Sequence, residues 1–182
     1  APSDIEHRDL YSCFPAAVRV QTAELGFTKT DDLTVTGGMT FGGGPLNNYT
    51  LQAMAKMVSV LRAEPHDRGL VTNVSGMLTK FGASVWSCRP PAVSFAAVDV
   101  SAAATEATAQ VEVHADYQGP ARVLTYTVAF DKGQPVQGIA IAETSDGGRC
   151  LSTTTDASLM TDMLTNDWCE RTVEVNGASL VG

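Results

Sequence analysis

The chain has 182 residues, 44% of them hydrophobic and 18% charged, with a formal net charge of −8. Those are the proportions of an ordinary globular protein, and the length allows one large domain or two small ones, either with a real core. No apolar run approaches the roughly 20 residues of a membrane span, and residues 1–9 are too polar for a secretory signal.

Phe14-Pro15-Ala16-Ala17-Val18 opens a helix, with Pro in the first turn where its missing N–H is no loss. Its expected apolar face runs through Phe14, Ala17, Val18 and Leu25, and Gly26 serves as the C-cap. Leu33-Thr34-Val35-Thr36 reads as a short strand ending at Gly37-Gly38. The turn Gly42-Gly43-Gly44-Pro45 leads into a second helix. Leu46, Ala53, Met54, Met57, Val58 and Leu61 give that helix a face of period 3.6, which stops near Glu64-Pro65. Asn47 and Asn48 suit its N-cap. Residues 69–74 and 83–87 read as two strands of a buried sheet.

Arg89-Pro90-Pro91 marks a boundary, because consecutive prolines interrupt helices and central strands alike. It divides the chain into residues 1–90 and 91–182. Ala102-Ala103-Ala104 reads as linker or strand edge. The apolar period then becomes two: Val111, Val113, Ala115 and Tyr117 alternate with polar residues, as do Leu124, Tyr126, Val128 and Phe130. Asp131-Lys132-Gly133-Gln134-Pro135 is a hairpin turn into residues 136–144, and Asp146-Gly147-Gly148 is another into residues 150–153. A short amphipathic helix carrying Leu159, Met160, Met163 and Leu164 follows Asp156, and residues 172–175 form the last strand. Several strands, one late helix and a closing strand suit a small all-β, OB-like Greek-key barrel. The expected fold class is α/β followed by that barrel with its one helix.

Charge separates the halves. Residues 1–90 carry eight acids and eight bases, whereas residues 91–182 carry twelve acids against Arg122, Lys132, Arg149 and Arg171. The second half therefore repels phosphate backbones, which argues against nucleic acid as a partner. Tyr117, Tyr126 and Trp168 offer rings for base stacking, but without a basic groove their expected role is packing. Cys13, Cys88, Cys150 and Cys169 are widely spaced and form no Cys/His cluster, so no metal framework is expected. Free thiols in a reducing, cytoplasmic setting are expected. His7, His66 and His114 are scattered, none with a carboxylate at a recognisable spacing, and are expected in surface or structural roles. Gly42-Gly43-Gly44 before a helix can cradle a phosphate or thioester oxygen through backbone N–H groups. Its spacing is not that of a nucleotide loop, and a tight turn is the plainer reading.

Three segments of the first half carry a family resemblance. Asp9-Leu10-Tyr11-Ser12-Cys13-Phe14 sits where thiolases have an Asn-Glu-Ala-Phe loop, or His-Asp-Cys-Phe in the relatives of sterol carrier protein. Thr36-Gly37-Gly38 through Gly43-Gly44-Pro45 resembles the Gly-His-Pro region with its following helix. Gly69-Leu70-Val71-Thr72 resembles the start of the strand pair that bears the Cys-x-Gly loop. The chain thus resembles the C-terminal portion of a thiolase-type acyl-CoA acyltransferase. It is most similar to the acetyl-CoA acetyltransferase-like proteins of actinobacteria, among which the type-one thiolase-like proteins carry an added C-terminal OB-type domain. The resemblance implies a partial thiolase C-terminal half, layered βαβα, over residues 1–90, and that additional domain over residues 91–182.

In the family a Cys of the N-terminal half takes the acyl group and the His of Gly-His-Pro activates it. The Asn or His of the first loop helps form an oxyanion hole, and a second Cys moves a proton. Matched residue by residue, Tyr11 stands at the Asn/His position and Gly44 at the Gly-His-Pro histidine. Residues 72–80, where the second Cys belongs, contain none, and Cys88 lies too far along. Cys13 matches an accompanying Cys. It precedes a helix start that favours a thiolate, but a packed, inert thiol is the plainer role.

The resemblance therefore implies a degenerate acyltransferase of lipid metabolism with no assured catalytic residue. It also implies a remnant acyl-CoA pocket lined by Gly42, Gly43, Gly44, Asn47 and Asn48. A coenzyme A thioester is the ligand implied for the intact protein, with no other cofactor. The implied partner is the N-terminal thiolase half or another chain, since a partial layer leaves an open edge and uncovered apolar faces. The first residue is Ala1 and not Met, which suits trimming or a start partway through a longer protein. A second reading is a non-catalytic module whose acidic barrel recruits another protein. A third keeps the intact protein active, with Tyr11 as acid and the nucleophile elsewhere.

Overall fold

Residues 1–28, 32–92 and 94–181 are described by a computed structural model, all with side chains except Asn47. Their contacts divide the chain into two units, Ala1–Ala97 and Val98–Gly182.

In the first unit the order is β1 (His7–Asp9), α1 (Pro15–Glu24), the short α2 (Met39–Gly42), α3 (Tyr49–Ala63), β2 (Arg68–Ser75) and β3 (Met77–Ser87). The three strands form one sheet, with β1 parallel to β2 and β3 antiparallel to it. The hairpin between β2 and β3 turns at Gly76, whose φ of +73° only glycine adopts without strain. Neighbouring residues on β2 point to opposite faces and anchor different clusters. Val71 meets Ala53, Met57 and Leu61 of α3, with Val35, Met54 and Trp86 at the fringe. Leu70 meets Ile5 and Leu10, flanked by Leu25, Phe27 and Leu33. Burying each of these large side chains is worth about 1.5–3 kcal/mol. Gly69 is needed for closure, since a Cβ there would run into the Met57 side chain.

The expected helices and the hairpin appear, with corrections to their faces. Leu46 lies before α3 and is exposed, while Tyr49 is buried in its place. Phe14 is also exposed, and α1 buries Ala17 and Gln21. Asn48 is the N-cap of α3 but its side chain makes no capping hydrogen bond. Residues 33–36 are not a strand, because their backbone is engaged by a side chain described below. On β3 the apolar side chains of Met77, Phe81 and Val85 are exposed.

The second unit holds α4 (Ser101–Ala107), β4 (Gln118–Asp131), β5 (Gln134–Glu143), β6 (Arg149–Thr154), α5 (Ala157–Thr165), β7 (Thr172–Asn176) and β8 (Ser179–Val181). The strands close into a barrel in the order β4-β5-β6-β8-β7, with β7 pairing back onto β4. Strand β4 is long enough to serve two partners: its first residues pair with β7 and residues 122–131 pair with β5. A register shift between Val123 and Thr125 changes which residues face inward. Ala121 and Val123 are buried before it, and Tyr126 and Val128 pack inward after it. Hence Leu124, expected in one apolar row with Tyr126, Val128 and Phe130, is not a core residue, and Phe130, beyond a second register shift after Ala129, is exposed. Val123, Ala140, Met163, Trp168 and Leu180 form one core cluster, and Ala121, Ala142, Cys150 and Val175 form another.

Turn chemistry sets the hairpins. Lys132 and Gly133 both have positive φ, +47° and +81°, as a two-residue turn matched to strand twist requires. Asp156 caps α5, its carboxylate accepting from Ser158 N–H at 2.8 Å and Leu159 N–H at 2.9 Å. Residues 111–117 are not a strand: they contribute one bridge, Val113 to Arg149, and Val111 and Val113 are exposed. Residues 102–104 lie in α4, where alanine's helix preference prevails over a linker role.

Candidate functional site

The end of β1 organises the first unit's loops. Asp9 is fully buried. Its Oδ2 accepts from the Thr34 hydroxyl at 2.8 Å, the Val35 N–H at 3.1 Å, the Thr36 N–H at 3.0 Å and the Thr36 hydroxyl at 2.7 Å. Its Oδ1 accepts from the Tyr49 hydroxyl at 3.1 Å. Residues 33–36 therefore curl around a carboxylate instead of extending along a strand. The Thr34 hydroxyl accepts in turn from Gly38 N–H at 2.9 Å, which sets the start of α2.

That arrangement brings together the two loops quoted above. Met39 N–H donates to Ser12 Oγ at 2.8 Å. Gly38 has φ +75°, and a Cβ on it would lie 3.0 Å from Ser12 Oγ, so glycine permits the close approach. The backbone of Tyr11 is fixed on both sides: its N–H donates to Thr72 Oγ1 and its carbonyl accepts from the Gln21 amide, each at 2.9 Å. Its ring meets Tyr49 edge-on, centroids 5.8 Å apart. Burial pushes the Tyr49 phenol pKa up. The Asp9 charge and hydrogen bond push the same way, against the Thr36 and Ser12 hydroxyls. Tyr49 is thus held as a neutral donor.

Gly42 and Gly43 donate their N–H groups to the carbonyls of Gly38 and Met39, at 2.8 and 3.0 Å, so those donors serve the turn itself. Gly44 and Leu46 close a tight turn about Pro45 through a 2.8 Å hydrogen bond, and Leu46 has φ +51°. Among the described residues, nothing lies within 4 Å of a Cβ built on Gly43, and only Met39 Sδ, at 4.0 Å, approaches one on Gly44. Cys13 carries a free, half-buried thiol. Asn48 is exposed, and the Asn47 side chain lies outside the described residues. An apolar cleft of about 310 Å³ in this unit is lined elsewhere, by Ile5, Leu25, Leu70 and Val85 among others.

Asp9 and Tyr49 went unassigned as organising residues by sequence reasoning. An acid followed by an apolar residue at a strand end was the only local signal, and its partners lie 25 to 40 residues away. The histidines also need correcting, since two have carboxylate partners that spacing concealed. His7 Nε2 lies 3.1 Å from Glu64 Oε2 and 2.9 Å from Asp67 Oδ2. His114 Nε2 lies 3.0 Å from Asp146 Oδ2, and His66 contacts Arg89. In the barrel, Arg122 pairs with Glu143 and Glu170, and Arg149 reaches Glu143 at 3.1 Å.

Residues 99–178 match the family model of the thiolase-like protein type 1 additional C-terminal domain. The chain is also similar to the crystal structure of a monomeric SCP2-thiolase like protein type 1 from Mycobacterium smegmatis, at 30% identity and a TM-score of 0.82. That similarity covers 98% of this chain and 41% of the other, so the chain spans less than half the length of its structural relative. No curated protein matches it. The family match and the shared fold together place the chain with the thiolase-like proteins, in their C-terminal portion.

Proposed function

We propose that this chain serves a thiolase-like protein of acyl-CoA or lipid metabolism that has lost the condensing and cleaving chemistry and retains, at most, binding of an acyl thioester. One observation carries the reading. The Met39 to Ser12 hydrogen bond joins the two loops where the family's activating groups belong, and those loops present Tyr11 and Gly44. Glycine offers no base to a thiol nucleophile. A tyrosine whose ring packs on Tyr49 is a bulky replacement for an oxyanion donor. What remains is a surface free of Cβ atoms at Gly43 and Gly44, close to Asn48, suited to a thioester lying along the backbone. Coenzyme A thioesters are the ligand class of this reading.

Residues 1–90 act here as part of a thiolase half, and residues 91–182 as the additional domain. The barrel order supports an OB-like assignment. Counted within the barrel, the strands run first, second, third, fifth, fourth and back to the first, with a parallel contact between third and fifth and a helix before the fourth. Exposed Met77, Phe81 and Val85 on β3 support a covering partner, the N-terminal thiolase half in the same or another chain.

Calorimetric titration of acetyl-CoA into a full-length protein containing this chain tests the proposal, alongside thiolysis of acetoacetyl-CoA. Binding without turnover is expected. Absence of binding at millimolar ligand overturns the binding role, and turnover overturns the degeneracy. A second reading, recruitment of another protein by the barrel, is favoured by its twelve acids against four bases. Pull-down with the full-length protein, lost on neutralising barrel acids, is its expected signature.

A further inference from the structure

We propose that His7, Glu64 and Asp67 form an exchangeable binding site for a first-row divalent metal ion of the zinc type. The three residues come from β1, from the C-cap of α3 and from the position just before β2. Their ligand atoms all lie within 4.8 Å of one another.

The geometry is specific. One atom, His7 Nε2, faces two carboxylate oxygens, at 3.1 and 2.9 Å. A ring nitrogen carries a single hydrogen and directs it in the ring plane, so one N–H serves two such acceptors poorly. Two carboxylates converging there also set like charges side by side. Ligands bound tetrahedrally at about 2.0–2.2 Å to one ion stand about 3.3–3.6 Å from each other. The separations of 3.1 and 2.9 Å from His7 reach that spacing when each carboxylate draws back by about 0.2–0.7 Å. One imidazole nitrogen with two carboxylate oxygens suits zinc and its first-row neighbours, whereas calcium and magnesium select oxygen donors alone.

The backbone presents these ligands in place. His7 sits in the β1–β2 ladder opposite Gly69. Asp67 N–H donates to the Glu64 carbonyl at 3.1 Å, closing the turn that carries both carboxylates. His66, inside the same turn, is directed to Arg89 and stands apart from the set. The His7 and Asp67 side chains are partly buried and Glu64 is exposed, so an ion here keeps solvent positions and exchanges, unlike one in a closed four-ligand structural site.

The test is titration of Zn²⁺ into the chelator-stripped chain at neutral pH by calorimetry, with thermal melting in parallel. One equivalent at micromolar affinity and a raised Tm are expected. His7→Ala and Asp67→Asn should each weaken binding at least tenfold, and His114→Ala should leave it unchanged. Glu64→Gln, at an exposed position, replaces His7→Ala if that variant loses its circular dichroism. Co²⁺ in place of Zn²⁺ should give d–d bands without a thiolate charge-transfer band. Binding only at millimolar metal, or binding that survives both His7→Ala and Asp67→Asn, overturns the proposal. The first result leaves His7 as a hydrogen-bonding partner of Glu64 and Asp67 alone, and the second places the metal elsewhere on the chain.

Discussion

Asp9→Ala is the most informative single change in the first unit. The substitution removes an acceptor that holds two backbone N–H groups, two threonine hydroxyls and the Tyr49 hydroxyl. Hydrogen bonds to a charged acceptor are worth about 1.5–3 kcal/mol each but do not add. Some donors find new partners: Thr36 Oγ1 is already 3.1 Å from Thr34 Oγ1 and 2.8 Å from the Tyr49 hydroxyl. Val35 N–H is left without its carboxylate, so the net loss should be about 3–5 kcal/mol, a large share of a typical 5–15 kcal/mol stability. Asp9→Asn keeps one oxygen for the four Oδ2 donors and turns its amide toward the Tyr49 hydroxyl, which can accept, so it should cost only about 1–2 kcal/mol. Urea unfolding followed by Trp86 fluorescence in a Trp168→Phe background reads the first unit alone. A loss below about 1 kcal/mol for Asp9→Ala, or equal losses for Ala and Asn, would refute the hub.

Other outcomes follow from the same contacts. Met57→Ala, at a fully buried position against Val71, should cost about 2–5 kcal/mol in the same urea assay. Asp156→Ala should lower the second unit's Tm and fray α5, with Asp156→Asn close to wild type, read by circular dichroism. The Asp156 carboxyl is held below its ordinary pKa by the Ser158 hydroxyl and by the N–H groups of Leu159 and Ser158. That capping contribution is therefore present above the unfolded value of about 3.9 and lost as pH falls through the folded one. The Glu143 carboxyl is likewise held low, chiefly by its hydrogen bond from Arg122. Arg122→Ala should move its carbon-detected NMR titration upward toward about 4.3, and an unmoved midpoint would discount the pair.

Much of the fold could be read from local signals. Period 3.6 located α3, Pro15 and Gly26 bounded α1, and Asp156 marked the start of α5. Asp131-Lys132-Gly133-Gln134-Pro135 marked the hairpin, and its turn lies at Lys132 and Gly133, whose positive φ is a property of two adjacent residues. The thiolase resemblance came from short loops in a fixed order, and the fold of the M. smegmatis protein bears it out. Strand β8 escaped notice because three residues after Gly177 carry too little pattern to recognise.

Tertiary structure decided the rest. Leu33-Thr34-Val35-Thr36 has strand-forming residues, yet a carboxylate 25 residues earlier takes their hydrogen bonds. Alternation along β4 was visible, but the register shift near Leu124 that reverses it arises from pairing with β5. His7 meets Glu64 and Asp67 only because β1 lies beside β2, across 57 and 60 residues of chain. The sequence by itself determined elements whose energies act within a turn or a hairpin. Convergence of side chains from separate elements depends on how the chain returns, and no local spacing records that.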